Sequence, residues 1–289
     1  MKDNLVKATV FDGMVRVYVA TTTKMVEEAR NRQDTWATAS AALGRSLTIT
    51  SLMGAMLKGG DTITAKIEGD GPLGAIVCDS NAKGETRGYV LNPHVDFSLN
   101  AQGKLDVRKA VGTEGTVSIV KDLGLKDYFT GQVPIVSGEI SEDFTYYFAN
   151  SEQIPSAVGA GVLVNPDHSI SAAGGFIIQL MPGAGENIIT EIEEALAKLP
   201  HISTLVQEGK NSEQILKKLF NEENVNILGQ HDILFKCKCS KERMLNAIKG
   251  LGEIEIKEMI EQDHGAETTC HFCNHVYQIS ESELHKLLS

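Results

Sequence analysis

The sequence predicts an α+β fold in three parts: an N-terminal domain of mixed sheet and helix over residues 1–181, a helical linker over 182–232, and a small C-terminal four-cysteine zinc domain over 233–289. Three observations lead there. Period-two alternation of apolar and polar residues recurs through the first part between helical runs, the pattern of half-buried strands. Apolar residues then repeat at helical spacing through the middle part. Last come two close cysteine pairs, Cys237-Lys-Cys239 and Cys270-His-Phe-Cys273, near the end of the chain.

Taken in order, Met14 to Val19 alternates with period two and reads as a strand, and Thr23 opens a polar helix through Met25, Val26 and Ala29. Thr35 to Lys58 is rich in small and apolar residues, but Arg45 stands mid-segment, where a charge costs about 2.5–3.5 kcal/mol in a bilayer. A buried or half-buried helix closed by Gly59-Gly60 fits better than a membrane span. Thr62 to Ile67 alternates again, and Gly69-Asp-Gly-Pro-Leu-Gly74 after it matches G-x-G-x-x-G letter for letter. A dinucleotide site would require that motif to open a helix. Pro72 and the strand-like Ala75 to Cys78 mark a turn between two strands instead, and Cys78 reads as an inert buried thiol.

Glu139 to Phe148 carries acidic and aromatic residues at helical spacing. The adjacent carboxylates stand at a helix start, where the macrodipole favours them, and read as a solvated face rather than an acid–base pair. Gly159 to Val164 and Ala172 to Met181 are glycine-punctuated strands. In the linker, Ile188, Ile189, Ile192, Ala195, Leu196 and Leu199 form one helical stripe ended by Pro200, and Ser212 is the expected cap of a second helix through Ile215, Leu216, Leu219 and Phe220. Between the cysteine pairs, Ser240 caps a helix bearing Met244, Leu245, Ile248 and Leu251, and Gly252 breaks it before Ile254, Ile256, Met259 and Ile260. Ser280-Glu-Ser-Glu283 is a capping box for a last helix through Leu284, Leu287 and Leu288.

The cysteine pairs carry the chemistry. A structural zinc ion takes four ligands in a tetrahedron, and two close pairs of thiolates let short turns aim their sulfurs at it. Cys237, Cys239, Cys270 and Cys273 are the candidate ligands, for one zinc ion per chain in the reduced state. The one-residue spacing of the first pair and the gap of about 30 residues between pairs depart from the usual zinc ribbon. His264, His271 and His275 are alternative ligands, set aside because four thiolates are already present. Cys270-x-x-Cys273 could also be a redox motif, but that belongs at the first turn of a helix, and Asn274 to Ile279 reads as a strand. If zinc were lost, the same sulfurs could form disulfides. Four cysteines permit three pairings, and closeness in sequence favours Cys237 with Cys239 and Cys270 with Cys273.

Composition narrows the function. With 42% hydrophobic and 22% charged residues the chain has ordinary globular statistics. Its formal net charge of −11, without a cluster of Lys and Arg, argues against a nucleic-acid partner. The N-terminus lacks the apolar run of a signal peptide, and four of five cysteines have metal-like spacing, so a reducing cytoplasm is expected. Neither a serine elbow nor a P-loop occurs, and no enzyme is expected.

Further phrases complete the reading: Ala41-Ala-Leu-Gly-Arg45, Gly69-Asp-Gly-Pro72, Gly103-Lys-Leu-Asp-Val107, Lys121-Asp-Leu-Gly-Leu125, Ser151 to Val158, Gly174-Gly-Phe176, and Cys237-Lys-Cys-Ser240 with Glu242-Arg243, Cys270-His-Phe-Cys273 and Tyr277. Through them nearly the whole chain resembles the heat shock protein 33 family, the bacterial redox-regulated holdase chaperones. The resemblance implies a cytoplasmic chaperone, inactive when reduced and zinc-bound. Oxidation of Cys237, Cys239, Cys270 and Cys273 to disulfides would release zinc and partly unfold the chain, which would then bind unfolding client proteins. It also implies a homodimer when active, and neither nucleic acid nor membrane as partner.

Overall fold

A computed structural model describes residues 2–288, which form two compact units, one running through Lys236 and the other beginning at Cys237. In chain order the first unit contains β1 (Asn4–Val10), β2 (Val15–Thr21), α1 (Thr23–Gln33), α2 (Ala37–Gly54), β3 (Thr62–Gly69), β4 (Ala75–Asn81), β5 (Glu85–Val90), α3 (Val107–Val111), β6 (Gly115–Asp122), β7 (Phe129–Pro134), α4 (Ser141–Asn150), β8 (Ser156–Val164), β9 (Ile170–Leu180), α5 (Glu186–Lys198), α6 (Ile202–Gln207), α7 (Ser212–Leu219), β10 (Asn226–Asp232) and β11 (Leu234–Phe235). One sheet has the order β10-β1-β2-β9-β8, the other β11-β5-β4-β3-β6-β7. The mixed α+β character expected from the sequence is what forms.

The apolar helix expected between Thr35 and Lys58 is α2, which touches strands of both sheets and is buried along nearly its whole length. Three of its buried hydroxyls are satisfied locally: Ser46, Thr48 and Thr50 donate to the carbonyls of Ala42, Gly44 and Ser46 one turn back, at 2.9, 2.8 and 2.7 Å. Arg45 pairs with Glu139 at 2.8 Å. The glycine-rich turn after β3 opens no helix. Gly71 and Leu73 donate to the carbonyls of Val111 and Ala110, and a Cβ on Gly71 would lie 2.4 Å from the Ala110 oxygen, so the turn needs glycine to dock on α3.

Asp143 corrects the expectation of a solvated acidic face. It is fully buried and accepts from the backbone N–H groups of Val136, Ser137 and Ile140 at 2.9, 2.7 and 2.9 Å, with longer bonds from Gly138 and the Ser137 hydroxyl. These bonds hold the turn in which Ile140 adopts φ 73°, a region a β-branched residue rarely enters. Asp143→Ala strands several buried donors, so urea unfolding should report a loss of at least about 3 kcal/mol. A loss below about 1 kcal/mol would show that water reaches the turn.

Asp3 is a second buried carboxylate, accepting from the Met25 N–H at 2.7 Å; burial pushes its pKa up to about 6, with backbone bonds from Met25 and Lys24 opposing the rise. A raised acid pKa favours the protonated form in the fold. Its contribution is therefore full below the unfolded value near 4 and declines as pH rises to about 6, by about 3 kcal/mol at most. Asp3→Asn should flatten that part of the stability–pH curve; an unchanged slope would remove Asp3 as its source.

The expected linker differs from what forms. Helices α5 to α7 lie on one face of the first sheet, where Val6, Ala8, Val10, Val15, Val17 and Val19 meet Ile192, Ile202, Leu205, Ile215, Leu216 and Leu219. Segment 226–232 adds the edge strand β10 beside β1, and β11 pairs in parallel with β5. Residues 182–236 thus belong to the first compact unit, and the second begins at Cys237 rather than 233. The cap of α7 is Asn211, which exchanges bonds with Gln214, whereas the Ser212 hydroxyl turns onto Asn4.

The second unit contains α8 (Lys241–Lys249), α9 (Glu253–Asp263), the hairpin β12 (Gly265–Thr269) and β13 (Val276–Ser280), and α10 (Glu281–Leu287). The Ser240 cap, the Gly252 break and the Ser280–Glu283 capping box all form as expected. Ile248, Ile256, Ile260, Ile279 and Leu284 make its small core.

Candidate metal centre

Each cysteine pair is aimed by local backbone. Cys237 and Cys239 lie in an extended segment ahead of the Ser240 cap, and Arg243 on the first turn of α8 reaches back to the Lys238 carbonyl at 2.9 Å. Cys270 and Cys273 occupy the turn of the β12–β13 hairpin. Cys270 N–H donates to the His275 carbonyl at 3.0 Å, Cys273 and Asn274 N–H both donate to the Cys270 carbonyl, and Asn274 takes φ 53° to complete the reversal. Such a turn leaves both sulfurs on one side.

All four sulfurs lie within 4.8 Å of one another. Two contacts cross between the pairs, 3.6 Å from Cys237 to Cys270 and 3.4 Å from Cys239 to Cys273. Both far exceed a disulfide bond of about 2.05 Å. They are close to the sulfur–sulfur edge of about 3.8 Å that a tetrahedron with zinc–sulfur bonds of about 2.3 Å requires. Cys270 and Cys273 are buried and Cys237 and Cys239 half-buried, so the cluster is accessible from one side.

Electrostatics points the same way. For Cys237, burial works upward, but N–H and thiol donors from Cys239, Cys273 and Cys270 outweigh it and hold the thiol down at about 7. Burial pushes Cys270 and Cys273 upward, although each sulfur also receives a backbone N–H, from Phe272 and His275 respectively. One thiolate is therefore supported and a second beside it is opposed. A divalent cation is what lets all four ionise together, and the donor set fits a thiophilic ion such as zinc.

Tyr277 is the residue that sequence reasoning left without a role. Its hydroxyl donates to the Cys239 sulfur at 3.1 Å, a bond that raises the phenol pKa to about 12. Its position two residues into a strand facing the cysteine turn is a signal only once the hairpin register is known. The alternative histidine ligands do not join the cluster: the His275 ring packs edge-on against Tyr277, and His264 faces Glu281. Lys236 pairs with Glu85 rather than with the thiolates it flanks in sequence. Cys78 is fully buried in β4, where burial drives its pKa far up, in keeping with an inert thiol. No described helix is long and apolar enough to cross a membrane.

Comparison with known proteins adds the family. The model of the family described as Hsp33 protein matches residues 3–280. The 33 kDa chaperonin of Oceanobacillus iheyensis is 64% identical over 99% of both chains, and that of Staphylococcus carnosus is 57% identical over 99% of this chain and 98% of its own. The crystal structure of the 33 kDa chaperonin, or heat shock protein 33 homologue, of Thermotoga maritima superposes with a TM-score of 0.93 at 40% identity, covering 100% of this chain and 98% of that one.

Proposed function

The chain belongs to the Hsp33 family of chaperones, and from that premise we propose that it is a holdase switched by the oxidation state of Cys237, Cys239, Cys270 and Cys273. The observation that carries the proposal is the cage of four sulfurs at near-tetrahedral spacing. Zinc, when bound, supplies the folding free energy that a unit with so small a core lacks. An oxidant of the peroxide class takes two electrons from each pair of thiolates and, with two protons from solvent, leaves as water, so that each pair becomes a disulfide whose sulfurs no longer ligate. The second unit then opens. Helices α5 to α7, which cover the apolar face of the first sheet, loosen in turn and leave surface for unfolding client proteins. The active form is a homodimer working in the cytoplasm, without nucleic acid or membrane.

A thiol oxidoreductase is the rival reading, but Cys270 and Cys273 sit on a hairpin turn rather than at the start of a helix, where the macrodipole would activate one of them. The deciding experiment measures zinc content and suppression of client aggregation together. Reduced protein should hold one zinc ion through four sulfurs by X-ray absorption and be inactive, whereas oxidised protein should be zinc-free and active at one binding event per chain. Catalytic turnover of substrate disulfides would overturn the switch.

Disulfide connectivity tests the order of events. Sulfur contacts of 3.6 and 3.4 Å cross between the pairs, so oxidation across them would staple the hairpin to the segment before α8. Closeness in sequence favours Cys237–Cys239 and Cys270–Cys273, the disulfides that leave the unit free to open. Peptide mapping should find the latter; dominant crosslinks between the pairs would mean that unfolding is not the activating step.

A further inference from the structure

We propose that the Tyr277 hydroxyl sets the oxidant threshold of the sulfur cage, as a positioning residue that holds the Cys239 sulfur and restrains its attack on a peroxide. This role rests on the cage being a redox switch and deepens that reading. The hydroxyl lies 3.1 Å from the Cys239 sulfur and donates to it. Cys239 is half-buried, so its sulfur is among those an oxidant can reach.

The donor comes from outside both cysteine segments. Backbone N–H groups of Cys239, Phe272 and His275 reach the sulfurs of Cys237, Cys270 and Cys273, and those bonds come with the local turns whatever the side chains. At Cys239 the donor is a side chain. Tyr277 stands on β13 opposite Thr268 of β12, across the hairpin from the strand that leads into Cys270. Its ring packs against the core of the second unit, and the His275 ring meets it edge-on with centroids 4.5 Å apart. The ring is thus held by packing, and one side chain joins the core of the unit to the cage.

A thiolate reacts through the lone pairs to which such an O–H donates. Its sulfur attacks one peroxide oxygen, an S–O bond forms as the O–O bond breaks, and the departing hydroxide takes a solvent proton to become water. A neighbouring thiolate then displaces the hydroxyl from the oxidised sulfur, which leaves with a second solvent proton as water, and the disulfide is formed. A hydrogen bond to the starting thiolate withdraws charge from the attacking lone pair and weakens as the S–O bond forms, so it slows the first step. The same bond orients the sulfur as a ligand, as the outer partners of metal-binding side chains do. One bond of this kind changes the rate by about two- to tenfold.

Zinc release from the reduced, zinc-loaded full-length chain under hydrogen peroxide tests this, read together with optical spectra of the cobalt(II)-loaded chain. Tyr277→Phe keeps the ring and removes the donor. It should release zinc about two- to tenfold faster than the parent, and its sulfur-to-cobalt charge-transfer band should move to longer wavelength, because a sulfur without its donor gives up charge more easily. His275→Ala, which removes the ring contact and leaves the hydroxyl, should follow the parent in both. Should Tyr277→Phe lose the band by unfolding, 3-fluorotyrosine at the same position decides, since it keeps the shape and strengthens the donor: release should be slower than in the parent. A Tyr277→Phe chain that releases zinc no faster than a responsive parent, or faster with an unmoved band, overturns the role of the hydroxyl, as does an unchanged rate with 3-fluorotyrosine. A parent that keeps its zinc under peroxide overturns the switch itself, and the threshold with it.

Discussion

Chelation of the reduced chain should abolish amide-exchange protection from Cys237 to Leu288 while the sheets of the first unit keep theirs. Cys273→Ser should do the same without a chelator. The second unit buries only a handful of apolar residues, chiefly Ile248, Ile256, Ile260, Ile279 and Leu284, and a core of that size does not offset the chain entropy of ordering more than fifty residues. Structural zinc contributes about 10–16 kcal/mol in comparable modules, so its loss exceeds any stability the unit has by itself. Exchange should rise first across Ser240 to Gly265, which lies between the cysteine pairs, and afterwards in α5 to α7. The first sheet itself should change least. Persistent protection after chelation would show that the cage is not what holds the unit together.

Ile248→Asp should mimic oxidation in part, with every cysteine still reduced. Ile248 is 6% exposed on α8 and joins the core of the second unit. Replacing it removes an apolar contact and buries an unpaired charge, which together cost about 3–5 kcal/mol. The milder companion Leu245→Asn acts on the half-buried flank of the same helix. Both variants should show raised exchange across α8 and α9, and measurable suppression of client aggregation under reducing conditions. If exchange proved the unit open while the variants stayed as inactive as the parent, unmasking could not be the activating step. The disulfides themselves would then have to create the binding surface.

The parts of the fold that were legible in sequence are those set by neighbours a few residues away. Period-two alternation in β2 and β3, the long apolar run of α2, the caps at Ser240 and Ser280 and the break at Gly252 all express local backbone preferences. The four clustered cysteines were legible as a candidate metal set for the same reason, since each close pair is a local device. Asp143 was misread because its donors come from the turn before its own helix, and a pattern of alternating charge does not reveal which way that turn folds back. Strand β10 was missed because its residues are mostly exposed and lack alternation; pairing with β1, more than two hundred residues away, makes it a strand.

By itself the sequence determined the α+β class, the identities of Cys237, Cys239, Cys270 and Cys273 as the candidate metal cluster, and the family resemblance, because motifs and periodicities are written in residue order. Tertiary structure decided the rest. It brought the four sulfurs within 4.8 Å, set the Tyr277 hydroxyl on Cys239 and laid α5 to α7 on the sheet. Each of these depends on hairpin register or helix packing, where cooperative burial of apolar surface chooses among arrangements that local sequence leaves equally open.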